Sequence, residues 1–204
     1  MSSRVAVVSG AARGLGRAIA CGLAERGDEV VVVDLLDGRE TVDEITGAGG
    51  SARSLVADVG SPEDVERVAA DVGRCDVLVN NAGVVQTMTP LAQTSEEMFD
   101  RIYGINTKGP MHLAARVADQ MAQHGGGAIV NIVTMGALRP AGHLGLYCSS
   151  KAATVALTRS MADEWAPLGI RVNAIAPGPF LTEMLDELEA ETPGFVKYSE
   201  AVTM

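Results

Sequence analysis

The stretch LYCSSK places a phenol and an ammonium four residues apart, Tyr147 and Lys151. Side chains at that spacing share one face of a helix. A phenol is a weak acid with a pKa of about 10, and a cation beside it stabilises the phenolate. The pair therefore holds the parts for proton transfer, although a half-buried tyrosine next to a surface lysine reads the same in isolation. Further candidates stand upstream. The run SGAARGLG sets Gly10, Gly14 and Gly16 at the end of an apolar segment, with Arg13 and Leu15 between them. Glycine permits a tight turn and the close approach of a ligand. The N–H groups of a helix starting there would face a pyrophosphate.

Asp34 ends the next apolar run, 18 residues after Gly16. A carboxylate at that place accepts hydrogen bonds from both adenosine ribose hydroxyls. It also repels a 2′-phosphate, which favours NAD over NADP. Arg13 opposes that reading, because a guanidinium beside the glycine turn can pair with such a phosphate. Asp58, followed by Val59, ends the third run. It either accepts from an adenine amino group or closes a turn.

These groups need a scaffold that brings strand ends together. Apolar, β-branched runs recur at 5–9, 29–34, 52–58, 76–81, 127–133 and 170–176. Unbroken runs of this kind suit parallel strands covered on both faces. Helical patterns lie between them, including 15–26, 62–72, 95–123 and 147–166. The alternation predicts an α/β fold with a doubly wound parallel sheet, Rossmann-like, in a single domain over 1–204. Ligands bind beyond the carboxyl ends of such strands, which is where every candidate above lies.

Composition narrows the partners. A net charge of −10 opposes phosphate backbones and anionic membranes, and 3% aromatic residues leave little for stacking on nucleic acid. The opening MSSRVAVVSG runs straight into a strand without a charged leader, and no apolar run reaches the length of a membrane helix. A cytoplasmic protein with a small-molecule substrate is expected, without nucleic-acid or membrane partners. Cys21, Cys75 and Cys148 suit reduced thiols, and His112, His124 and His143 lack metal-ligand spacing, so no metal is expected.

With SGAARGLG, NNAG (80–83), YCSSK (147–151) and APGP (176–179) in that order, the chain resembles the short-chain dehydrogenase/reductase family. The resemblance implies a nicotinamide-linked oxidoreductase interconverting a secondary alcohol and a ketone. Tyr147 would be the acid/base group, its pKa drawn down by Lys151 and by the nicotinium charge, with Lys151 also bonding the nicotinamide ribose. The family's serine falls at Thr134, a departure that keeps the hydroxyl for the substrate oxygen. Asn106, read as lying within the long helix, would use its main chain to hold a water linked to the lysine. Asn81, Ala82 and Gly83 would flank the adenosine ribose. Pro177, Gly178 and Thr182 would orient the carboxamide.

The resemblance leaves two alternatives open, an NADPH-dependent 3-oxoacyl thioester (acyl-carrier-protein) reductase and a non-catalytic NAD-binding protein. It also implies a homodimer or homotetramer built on helices 95–123 and 147–166, with Ala114, Ala115, Ala152, Ala153 and Ala156 allowing close approach. The acidic run at 182–191 reads as the start of a substrate-covering segment, 182–204. Relatives continue beyond this point through another helix and a seventh strand, so the family's last strand is expected to be absent here and the biological chain longer. The loops expected to set specificity are mostly apolar, with Arg139 the exception, which suggests a moderately apolar hydroxy compound.

Overall fold

The structure is a computed structural model that describes residues 3–180 and 182–197. Six parallel strands form one sheet: β1 (Val5–Ser9), β2 (Glu29–Asp34), β3 (Ser51–Val56), β4 (Val77–Asn80), β5 (Gly127–Ile132) and β6 (Ile170–Ile175). Their order is β3-β2-β1-β4-β5-β6, with every pairing parallel. The chain winds outward from β1 in one direction and from β4 in the other, leaving a crevice where the direction reverses. Val30 to Val33 of β2 have no exposed surface, which explains an unbroken valine run in place of alternation.

Helices α1 (Gly14–Glu25) and α2 (Arg39–Gly47) cover one face, where Ala20, Ala24 and Ile45 pack on Val8, Val30 and Val32. Helices α3 (Pro62–Val72), α5 (Gly109–Gln123) and α6 (Gly145–Trp165) cover the other, around Val7, Val31, Leu113, Val117 and Ile129. A short helix, α4 (Glu96–Tyr103), precedes α5. α2 was not legible in the sequence, because only Thr41 and Ile45 are buried and so narrow a stripe gives a weak period. Ala114 is wholly buried in the core between α5 and the sheet, so it serves the sheet and not a helix face open to a partner.

The expected long helix 95–123 is interrupted by a π turn, Gly104–Lys108. Such turns carry one extra residue and redirect side chains, often at functional positions. Here the turn delivers Asn106 fully buried beneath the β4 strand end. Helix α7 (Glu183–Glu191) places Leu185 and Leu188 against the cavity at the strand ends. Residues 198–204 of the expected covering segment lie outside the described residues. No helix of the described residues is long and apolar enough to cross a membrane.

Candidate active site

A cavity of about 670 Å³ lies beyond the carboxyl ends of the strands. The β1–α1 turn, with Gly10, Arg13, Gly14, Leu15 and Gly16, forms one end; Asp34, Asp58 and Val59 lie beside it. Thr134, Tyr147 and Lys151 form the other end. Asn81, Ala82 and Gly83 line the floor, and Pro177, Gly178 and Thr182 the far wall. One cavity thus gathers every sequence candidate except Asn106, which supports it from below.

At the glycine turn the backbone leaves no room for side chains. A Cβ on Gly16 would stand 1.9 Å from the Gly10 carbonyl oxygen. One on Gly10, where φ is +66°, would stand 2.7 Å from the Ala82 Cα. α1 starts without a side-chain cap and without an acidic residue in its first turn, so its leading N–H groups remain available to an anion. Asn81 Nδ2 ties the turn down through the Ser9 and Gly10 carbonyls at 3.1 and 2.9 Å. Its side chain thus serves the turn, and what it offers a ribose is main chain. Ser9, which sequence reasoning missed, accepts from the Asn81 and Ala82 N–H groups, each at 3.1 Å.

Asp34 accepts from the Ala12 N–H at 2.9 Å and the Leu36 N–H at 3.0 Å, one bond to each oxygen. These bonds hold the carboxylate in place and leave a lone pair on each oxygen for a diol. Arg13 points elsewhere: its Nη1 meets Glu187 Oε1 of α7 at 2.9 Å. Asp58 Oδ1 closes a turn, accepting from the Gly60 N–H at 2.7 Å, and the residue also lines the cavity.

At the other end, Tyr147 lies in the first turn of α6 and Lys151 one turn later. Lys151 is 4% exposed, and its Nζ donates to the Ile132 carbonyl oxygen at 2.9 Å. Burial holds the ammonium down to about 8. The Tyr147 phenol is pushed up, first by burial, with a hydrogen bond to the Thr134 side chain pulling the other way. Lys151 is not among the causes of that shift in the protein alone, and the lysine is itself desolvated. Thr134, at the end of the β5 segment, accepts from the Gly136 N–H at 3.2 Å through its hydroxyl oxygen.

Asn106 is held from three sides. Its Oδ1 accepts from the Val84 N–H at 2.8 Å, and its Nδ2 donates to the Val84 carbonyl at 2.8 Å and to Ser150 Oγ at 3.1 Å. Its own carbonyl oxygen accepts from Thr154 Oγ1 at 2.8 Å, so one of its two lone pairs is used within the protein. The expected long-helix position is corrected to the π turn, which is what aims the side chain at the β4 end.

The glycine turn, the Asp34 carboxylate and the tyrosine–lysine pair line one cavity. The sequence profile of the short chain dehydrogenases matches residues 4–193. The chain belongs to that family. It is 36% identical over 196 residues to the 2-dehydro-3-deoxy-D-gluconate 5-dehydrogenase of Dickeya dadantii, covering 94% of this chain and 77% of that protein. A proposed NAD(P)-dependent gluconate 5-dehydrogenase from Beutenbergia cavernae, solved with bound NADP, superposes with a TM-score of 0.88 at 39% identity, covering 93% and 78% of the two chains. A 7α-hydroxysteroid dehydrogenase, solved with NADH and 7-oxoglycochenodeoxycholic acid, gives 0.86 at 37%, covering 90% and 74%. The protein is accordingly an oxidoreductase of secondary alcohols and ketones that uses a nicotinamide cofactor.

Proposed function

We propose that the chain is an NAD-linked secondary-alcohol dehydrogenase/ketoreductase in which Tyr147 is the acid/base group. The observation that carries this reading is the shared cavity: Tyr147, Lys151 and Thr134 face the same space as the glycine turn. The residues fit the dinucleotide. Gly10 and Gly16 let the backbone approach a pyrophosphate, the free N–H groups of α1 receive it, and Asp34 offers acceptors to the adenosine ribose. When bound, the nicotinamide supplies or accepts the hydride.

The chain's own residues handle the proton. In ketone reduction Tyr147 donates its phenolic proton to the developing alkoxide, and Thr134 donates a hydrogen bond to the same oxygen. In oxidation the phenolate takes the alcohol proton, so oxidation requires the deprotonated form. Burial pushes the phenol up in the protein alone, so the proton donor for reduction is present at neutral pH, and oxidation depends on a cation beside the phenol to stabilise the phenolate. Lys151 keeps two N–H donors beyond its Ile132 bond for the nicotinamide ribose. Asn106 holds the strand end over which these groups meet.

Two features support NAD over NADP. Asp34 places a negative charge where a 2′-phosphate would sit, and Arg13, the cation that could answer it, is engaged by Glu187. The substrate end is walled by Val84, Val85, Met135, Leu144, Phe180 and Leu185. Those walls favour hydrocarbon around the carbinol, in contrast to the hydroxylated chain suggested by the sugar-acid relative. By family likeness the enzyme works as a homodimer or homotetramer in the cytoplasm. Phe99 is exposed and stacks on Tyr103, whose Oη donates to Ser149 Oγ of α6 at 2.9 Å.

A panel of cyclohexanol, a 7α-hydroxy bile acid and sodium gluconate, each with NAD and with NADP, tests the reading by formation of reduced nicotinamide. Turnover of the first two with NAD, abolished in Tyr147→Phe while NADH still binds, is the expected result. Near-native turnover in Tyr147→Phe would overturn the acid/base role. Tight NADH binding without turnover of any member would favour the non-catalytic alternative.

A further inference from the structure

Helix α6 begins without a cap of its own. Leu144 occupies the N-cap position and offers no side-chain acceptor, and the first turn has no acidic residue. The first helical bond runs from the Cys148 N–H to the Leu144 carbonyl at 2.9 Å. The Tyr147 N–H therefore comes one residue too early for a partner within the helix. Gln86, on the loop after β4, supplies one: its Oε1 accepts the Tyr147 N–H at 2.7 Å across 61 residues of chain.

Gln86 is 4% exposed, and its side-chain amide donates at 3.4 Å to the His143 carbonyl, which also accepts from the Thr89 N–H at 2.9 Å. His143 is the single non-glycine residue among the described ones with positive φ, at 65°. Left-handed backbone is unfavourable for a residue with a Cβ, so this entry into α6 must be held from outside. The other side of Tyr147 is held as well, since Ser150 Oγ donates to its carbonyl at 2.7 Å and accepts from Asn106. The backbone of the phenol-bearing residue is thus gripped at its N–H by Gln86 from the loop after β4, and at its C=O by Ser150 of α6 itself, which Asn106 holds from the π turn.

We infer that Gln86 is a positioning residue for Tyr147, setting the first turn of α6 and with it the place of the phenol against Thr134. The inference rests on Tyr147 being the acid/base group. Gln86 is not among the residues lining the catalytic cavity, so it acts through the helix end. Without its acceptor the part-buried Tyr147 N–H loses its partner, and unwinding the first turn relieves it. Lys151 lies a turn deeper, anchored separately to Ile132, and stays in place.

The test compares Gln86→Met, which keeps the side chain's length and loses the acceptor, with Gln86→Glu, which keeps an acceptor that a helix N-terminus also favours by charge. Each is assayed with cyclohexanol, or with whichever panel alcohol turns over fastest, and NADH binding is measured by fluorescence. Gln86→Met should lower kcat about tenfold to a hundredfold, with the NADH dissociation constant and the KM for NAD unchanged. Gln86→Glu should recover most of the loss. Native kcat in Gln86→Met, failure of Gln86→Glu to do better, or a parallel loss of NADH binding would overturn the inference. Tyr147→Phe run alongside separates the two levels: near-native turnover there removes the acid/base reading itself. An inactive Tyr147→Phe beside a native Gln86→Met removes the positioning role alone.

Discussion

Lys151 carries its charge at a cost to folding, and removing that charge should stabilise the cofactor-free protein. The ammonium is 4% exposed, with one hydrogen bond to the Ile132 carbonyl. Burial lowers it from an ordinary 10.5 to about 8. At about 1.4 kcal/mol per pKa unit, keeping the lysine protonated at neutral pH costs the folded state roughly 3 kcal/mol. Lys151→Met removes that penalty at similar volume and forfeits a hydrogen bond worth about 1 kcal/mol. The net gain of about 2 kcal/mol corresponds to a rise in Tm of about 4–8 °C for a chain of this size.

The pH dependence carries the sign. Below about pH 8 the lysine is protonated folded and unfolded, so the penalty is complete and constant. Between about 8 and 10.5 only the unfolded chain keeps the proton, so rising pH favours the folded wild type and closes the gap to the variant. Tyr147 is common to both proteins and cancels in the difference. Urea unfolding of both proteins without cofactor, at about pH 7 and about pH 9.5, measures it. A Lys151→Met protein less stable than wild type at the lower pH, or a gap that does not shrink at the higher, would refute the desolvation argument.

Thr134→Ser should keep most activity because the hydroxyl remains, whereas Thr134→Val should lose about a hundredfold or more in kcat at similar volume; equal rates for Val and wild type would remove Thr134 from the chemistry. Asp34→Asn should raise the NADP-to-NAD preference about tenfold to a hundredfold by removing like-charge repulsion while keeping an acceptor for the turn, read from kcat/KM with each cofactor. Glu187→Gln should free Arg13 and improve NADP affinity, yet change stability by less than about 1 kcal/mol because both partners are exposed; titration with each dinucleotide and urea unfolding check both halves.

Much of this site was readable in the sequence because its parts are local. A glycine turn reports its own backbone needs, as Gly10 and Gly16 do, and an aspartate ending an apolar run sits at a strand end wherever the fold places it. Parallel strands buried on both faces leave an unbroken valine run such as Val30–Val33, so the strand–helix alternation was legible without contacts. The i, i+4 spacing of Tyr147 and Lys151 likewise needs only helix geometry.

The remainder depended on neighbours far along the chain. Asn106 looked like a residue of one long helix, because a π turn leaves the apolar period on either side nearly intact; its contacts with Val84 and Ser150 show what the extra residue achieves. Arg13 read as a free cation until α7 brought Glu187 to it across 174 residues. Gln86 had no motif at all, since capping another element's N–H leaves no spacing signal in the capping residue's own segment. The balance at Tyr147 and Lys151 was a tertiary outcome for the same reason. Sequence spacing predicts that two titratable groups are near each other, whereas the desolvation that dominates here comes from the strands and helices packed around them.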